Sequence, residues 1–293
     1  MTKFVDYGPV MTAPPPIVCD GAYLFVFALD ADPNRLSALC KSVFDVPSKG
    51  SVKCKPLASK VVLIFGRIDK VKGAAAGPAV REKNVLLHVP VIVEAGGEMF
   101  SALFSPFVWV DNPNSLTGGR ETFGYAKTYG VIHMNGDDEP SHFSLDTFGG
   151  DWTNSFWEMR DHVITMERGA KISTTLFSIM DLVGGIGDAG DLLSEWSDTG
   201  VKELFYKQFR SIDDGRAGHP PLACLSQIGT AEYVVSQADA IEPLAHYYNI
   251  QLKKLDSHPF VSELGLHHNN QDIPGYRLRT NFRVEHGRVL WHG

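Results

Sequence analysis

Apolar and β-branched runs recur along this chain with glycine-rich turns, not helices, between most of them. Lys60–Ile68, Asn84–Glu94 and Met99–Val110 are separated by Gly73–Gly77 and by Gly96-Gly97. Tyr23–Leu29 precedes them, and Trp157–Glu167, Leu204–Phe209, Leu222–Val235, Tyr247–Leu255 and Tyr276–Val284 follow. Such runs predict strands. Parallel neighbours need long crossovers, usually helical. Strands without regular intervening helices therefore predict an antiparallel sheet or barrel rather than a doubly wound sheet.

The helices announce themselves by their ends. Asp32 followed by Pro33 is a cap and a first-turn proline, and Leu36, Leu39, Cys40 and Val43 follow at helical spacing, predicting a helix over Pro33–Phe44. Ser257 is read as the cap of a short helix with Pro259 early in it, running to Leu264 and stopped by Gly265. Leu176, Ile179, Met180, Val183, Leu192, Leu193 and Trp196 make Lys171–Lys202 read as helical. Met1–Pro16 reads as an extended arm. With no internal repeat, residues 1–293 are expected to form one domain with a helical insertion around 171–202.

Composition narrows the function classes. The 293 residues are 44% hydrophobic, enough for a large core. A net charge of −7 and the absence of any long Lys/Arg run argue against nucleic acid or an anionic membrane as partner. No apolar run has membrane-spanning length. Cys19, Cys40, Cys54 and Cys224 are scattered, so neither a disulfide framework nor a zinc site is expected. The expectation is a reduced, cytoplasmic protein needing no cofactor.

The chemistry concentrates in Phe107–Thr128, FVWVDNPNSLTGGRETFGYAKT. An apolar strand ends at Asp111-Asn112, a turn-rich stretch leads to Gly119-Arg120-Glu121, and Tyr125 and Lys127 follow. This segment resembles the active-site segment of the acetoacetate decarboxylase superfamily. There, a strand ending in Asp-Asn or Asp-Asp leads to Gly-Arg-Glu, an aromatic residue, Pro and two lysines, the first of which forms a Schiff base. Lys127 stands in its place. Val89-Pro90-Val91, Phe205–Arg210 and Asp256–Leu266 are similar to other parts of the family pattern, so the resemblance covers most of the chain. It implies an α+β fold, mainly antiparallel sheets curled into a barrel-like cone around an interior pocket, with peripheral helices. It also implies a homo-oligomer and a small-molecule carbonyl substrate.

A lysine suits that chemistry because a neutral amine attacks a carbonyl and the iminium it forms draws electrons from the adjacent carbon. An ordinary lysine, with a pKa of roughly 10.4, is almost wholly protonated at neutral pH. Burial or a neighbouring cation must offset this, and acetoacetate decarboxylase is itself the standard example of a lysine activated by a cation. Phe107, Trp109, Phe123, Tyr125 and Tyr129 offer an apolar wall.

The departures from the pattern bear on the reaction. Thr128 replaces the second lysine and Ala126 the proline. The stretch that carries the family's carboxylate-binding arginine is here Cys19-Asp20-Gly21-Ala22-Tyr23, without a basic residue. One family glutamate is replaced by an apolar residue near Ile64. The position of another falls on Asn84, with Glu82 on the same strand face and in place only if the register slips by two. Glu82, Tyr125 and His88 are the acid/base candidates, and His88, alternating with Leu87 and Val89, is more simply a satisfied core or surface histidine. Arg120 and Glu121 are candidate binding residues, but they suit a structural ion pair holding the turn better than a catalytic role. Losing the arginine and second lysine weakens decarboxylation and favours a cofactor-independent Schiff-base lyase of aldol or dehydratase type. The rivals are a decarboxylase with a cation from elsewhere (Arg67, Arg81 or Arg210), a binding protein, and a hydrolase.

Three further strings carry less. Gly185-Ile186-Gly187-Asp188-Ala189-Gly190 matches a dinucleotide fingerprint but lacks the strand before it. Asp256-Ser257-His258 has triad residue types but cannot converge from adjacent positions. His267-His268 with Asn269-Asn270 reads as a solvated loop.

Overall fold

The structure, a computed structural model, describes residues 13–73, 78–136, 138–153, 156–172, 200–211, 223–239, 241–267 and 271–293. The chain opens with β1 (Ile17–Asp30), α1 (Pro33–Cys40), a π-helical turn (Lys41–Asp45) and β2 (Val52–Pro56). The long strands β3 (Lys60–Gly73), β4 (Val80–Ala95) and β5 (Glu98–Val110) follow, then α2 (Pro113–Thr122). Next come β6 (Lys127–Asn135), β7 (His142–Gly149), β8 (Glu158–Lys171), β9 (Val201–Arg210) and β10 (Ala223–Ala238). The chain ends with β11 (Glu242–Pro243), β12 (His246–Leu252), α3 (Phe260–Leu264), β13 (Gln271–Ile273), β14 (Gly275–Val284) and β15 (Arg288–His292).

Seven strands close on themselves in the order β1-β3-β4-β5-β9-β10-β14 and back to β1. A second sheet, β6-β7-β8-β12-β13, leaves the barrel from β5. The expected antiparallel architecture holds, with two parallel pairings, β5 with β6 and β5 with β9.

Alternation along each strand sorts side chains to two places. In β1, Phe25, Phe27 and Leu29 face outward into the main core, while Cys19 and Ala22 belong to small clusters inside the barrel. In β4, Val85, Leu87 and Val89 are fully buried in the main core, and Glu82, Asn84 and Leu86 take the opposite, luminal face. The outer faces of β1, β3 and β4 pack on the second sheet. Phe27 meets Phe143 and Tyr248 edge-on, with centroids 5.7 and 5.3 Å apart. Burying each such ring contributes about 1.5–3 kcal/mol.

The helix over Pro33–Phe44 forms as expected to Cys40, capped by Asp32 Oδ1 accepting from Asn34 and Arg35 backbone amides, and then widens into the π-helical turn. The stretch read as turns after Asp111 is instead α2. Its start is built on the same principle, with Asn112 as cap and Pro113 in the first turn. The short C-terminal helix forms, but Ser257 does not cap it. Its hydroxyl accepts from the Gly150 amide instead. The helix expected over 171–202 falls largely on residues 173–199, outside the described residues, as do the glycine string at 185–190 and residues 268–270. Lys171 and Val201 at its two ends are strand. Among the described residues no helix is long and apolar enough to cross a membrane.

Candidate active site

The β5–α2–β6 unit places the lysine. A strand running parallel to β5 requires a crossover, and α2 supplies it. The return brings Lys127, the first residue of β6, beside Val108 in β5, which in turn pairs with Leu86 in β4. Lys127 therefore points along the luminal face that carries Glu82 and Asn84. Gly119 of α2 lies against its side chain, where a Cβ would come within 2.7–3.0 Å of Cδ, Cε and Nζ.

Lys127 Nζ lies 3.8 Å from Glu82 Oε2, with only 13% and 6% of the two side chains exposed. Asn84 Nδ2 donates to Glu82 Oε1 at 2.8 Å and holds the carboxylate in place. Asn84 Oδ1 is buried and finds no partner among the described residues. The Tyr125 ring lies 5.2 Å from Lys127 Nζ, within cation–π range. Cys19 shares this interior. Burial, and secondly the Glu82 charge, push its thiol up to about 12 against the pull of Lys127. Tyr233 is likewise raised, by burial and then by Cys19 and Glu82.

A second buried network adjoins the first. The Tyr125 hydroxyl donates to Glu203 Oε2 at 2.7 Å, and the Ser105 hydroxyl donates to Glu203 Oε1. Ser105 has one hydrogen, so while Glu203 is ionised and accepts it, His88 Nδ1 donates to Ser105 Oγ, at 2.6 Å. Burial pushes Glu203 up to about 8, although the Ser105 hydrogen bond and the Lys127 charge pull it down. Burial holds His88 down at about 4. Near neutral pH the carboxyl thus keeps its proton, one of its two hydrogen bonds runs outward from the acid, and the imidazole is neutral. The bulge between Leu87 and Val89 makes this possible. One extra residue in β5, next to Pro106, reverses the alternation and turns Ser105 inward. A groove of about 210 Å³, lined in part by Leu39, Val43, Ser105 and Tyr125, meets the network from the α1 side.

Of the residues singled out in the sequence, Lys127, Glu82, Asn84 and Tyr125 come together. His88 is buried but bonds to Ser105. Arg120 is exposed, and its Nη1 donates to the Lys127 carbonyl at 2.9 Å. Among the described residues no Arg120–Glu121 ion pair forms, and the Glu121 charge acts on Lys207 instead. Glu203 was missed. Its signal was present, a lone acid in Val201–Phe205 at the same strand parity as apolar Phe205.

The family model for acetoacetate decarboxylase matches residues 9–177, more than half of the chain and the whole Phe107–Thr128 segment. The chain belongs to the acetoacetate decarboxylase family. Its fold is similar to the crystal structure of an acetoacetate decarboxylase from Legionella pneumophila, with a TM-score of 0.61 at 15% identity, covering 100% of this chain and 92% of the other. It is similar also to the enduracididine biosynthesis enzyme MppR, described in complex with the condensation product of pyruvate and imidazole 4-carboxaldehyde. There the TM-score is 0.55 at 13% identity, covering 96% and 91% of the two chains. An acetoacetate decarboxylase-like enzyme from Sphingomonas wittichii RW1 gives 0.54 at 16% identity, covering 94% and 93%. At these identities the likeness is one of fold. No curated protein matches the chain in sequence.

Proposed function

We propose that this family member is a cofactor-independent Schiff-base lyase of aldol or dehydratase type, acting on a keto acid or a related carbonyl compound. The observation that carries the reading is the buried pair of Lys127 Nζ and Glu82 Oε2 at 3.8 Å. Attack requires the lysine to lose a proton, and Glu82 stands where it can take it. The amine nitrogen then bonds to the carbonyl carbon, the carbonyl oxygen leaves as water with one proton from the amine and one returned by Glu82, and an iminium remains beside the restored carboxylate. Glu82 removes a proton from the adjacent carbon, giving an enamine. The enamine carbon bonds to the carbonyl carbon of an aldehyde, whose oxygen takes up a proton, or a β-hydroxyl leaves as water. Water releases the product and restores the amine. Tyr125, backed by protonated Glu203, is the second proton-bearing group beside the lysine.

The MppR complex with a condensation product supports this class on the same fold. Decarboxylation has less support. Of the three arginines considered as a replacement cation, Arg67 stacks over the ring of Tyr23, on the outward face of the barrel wall, and Arg81 and Arg210 are exposed.

The test is borohydride trapping with a panel of keto acids, ketones and aldehydes, mapped by mass spectrometry. Adducts are expected on Lys127 and absent from Lys127→Ala. Glu82→Gln is expected to lower turnover by about 10²–10⁴-fold, the usual worth of a general acid/base. Ligands that bind equally well to the Ala variant, with no adduct across the panel, would leave a binding or hydrolytic role.

A further inference from the structure

We infer that the barrel interior is built for an uncharged carbonyl compound, a ketone or aldehyde, in preference to a keto acid. This rests on the Schiff-base reading of Lys127. The argument is a count of buried charge. Among the described groups acting on Cys19 and Glu203, Lys127 is the only cation. Its charge is matched by Glu82. Other nearby cations are directed elsewhere. Lys83 Nζ donates to the Ile132 carbonyl and Lys207 Nζ to the Thr122 carbonyl. Arg67 lies over Tyr23. Of the chain's Lys and Arg, only Lys3 and Arg216 lie outside the described residues, and 173–199 contributes Asp and Glu alone.

A ketone bound at Lys127 gives an iminium cation beside the Glu82 carboxylate, and the interior stays neutral. A keto acid adds a second carboxylate, with no described cation to receive it. A buried charge without a partner is strongly disfavoured. The hydrogen-bonding groups point the same way. Asn84 Oδ1 is an orphaned buried acceptor and Glu82 is another acceptor. Neither offers a proton to a carboxylate, whereas the iminium formed from a ketone keeps no oxygen acceptor to satisfy. Leu86, Val108, Val110, Phe205 and Phe282 complete an apolar wall. Glu203, neutral near pH 7 because burial pushes it up to about 8, adds no charge to the count.

The test compares butanone with α-ketobutyrate, which carries a carboxylate in place of one methyl. Each is trapped with borohydride on the full-length protein, and the Lys127 yield is divided by the yield on N-acetyl-lysine to remove the difference in intrinsic reactivity. Butanone is expected to be favoured by about tenfold or more. Glu82→Gln is expected to narrow that preference, because it frees the lysine-derived charge to meet the acid. A normalised yield with α-ketobutyrate equal to or above that with butanone overturns this inference and leaves the Schiff-base reading standing. Absence of a Lys127 adduct with either compound overturns this inference, and absence across the wider panel of keto acids, ketones and aldehydes overturns the Schiff-base reading as well.

Discussion

Glu203 holds its proton for a reason visible around it. It is 2% exposed, and two hydroxyls and a distant ammonium do not replace the water that burial removes. Its pKa rises from 4.5 to about 8 on folding, so between these values the folded chain binds more protons than the unfolded one. Stability contributed by this group is therefore lost as pH rises through that window. His88 moves oppositely, from 6.5 down to about 4, so its contribution falls as pH drops through that range. The two oppose each other below about 6.5, and Glu203 acts alone above it. Glu203→Gln should thus remove a decline in stability between about pH 6.5 and 8, worth on the order of a few kcal/mol. Urea unfolding of both proteins across that range checks this, and parallel curves would show that Glu203 is not the cause.

Helix α2 matters through what it leaves out. Gly119 has no side chain, and Lys127 occupies the space a Cβ would take. Asn112 and Pro113 define the start of the helix and so where Gly119 falls, while Arg120 fixes the carbonyl of Lys127. Gly119→Ala should push the flexible end of Lys127 aside. The melting temperature is expected to change by no more than a few degrees, because the strained atoms belong to a movable chain end. The Lys127 adduct yield is expected to fall by about tenfold, by analogy with small displacements of reacting groups elsewhere. An unchanged adduct yield would mean that the helix does not set the position of the amine.

At the scale of the molecule, the barrel is a closed wall, the second sheet with α1 and α3 is its outer packing, and α2 packs against the interior cluster that holds Lys127. The junction of α1 with α3 ties the first strand to the C-terminal part. Gly265 ends α3 at φ +62°, its carbonyl accepts from the Asp32 amide, and a Cβ there would overlap Asp32 Cβ. Gly265→Ala pays both a left-handed backbone cost and a clash, so it is expected to destabilise the fold by about 1–3 kcal/mol. A shift of the urea midpoint with an unchanged slope is the readout.

Much of this was legible in the order of residues. Strand runs, the Asp32-Pro33 cap, the Gly265 stop and the segment ending in Lys127 are local signals, because period-two alternation and capping chemistry act within a few residues. Helix α2 was legible in principle, since Asn112-Pro113 repeats the signal of Asp32-Pro33, but the glycines after it read as a turn. Which acid meets Lys127 was not legible. Glu82 and Asn84 share a strand face, and only the register of β4 against β5 and β6 decides between them. Glu203 lies in a strand remote in sequence from Tyr125, and the bulge that turns Ser105 inward leaves no local mark beyond Pro106. Side-chain identity and local periodicity determined the strands and the short helices, and the likeness of Phe107–Thr128 to the family segment singled out Lys127. Barrel closure decided its partners, because strand register and burial are set by contacts between distant segments, and burial is what keeps a proton on Glu203 and off His88.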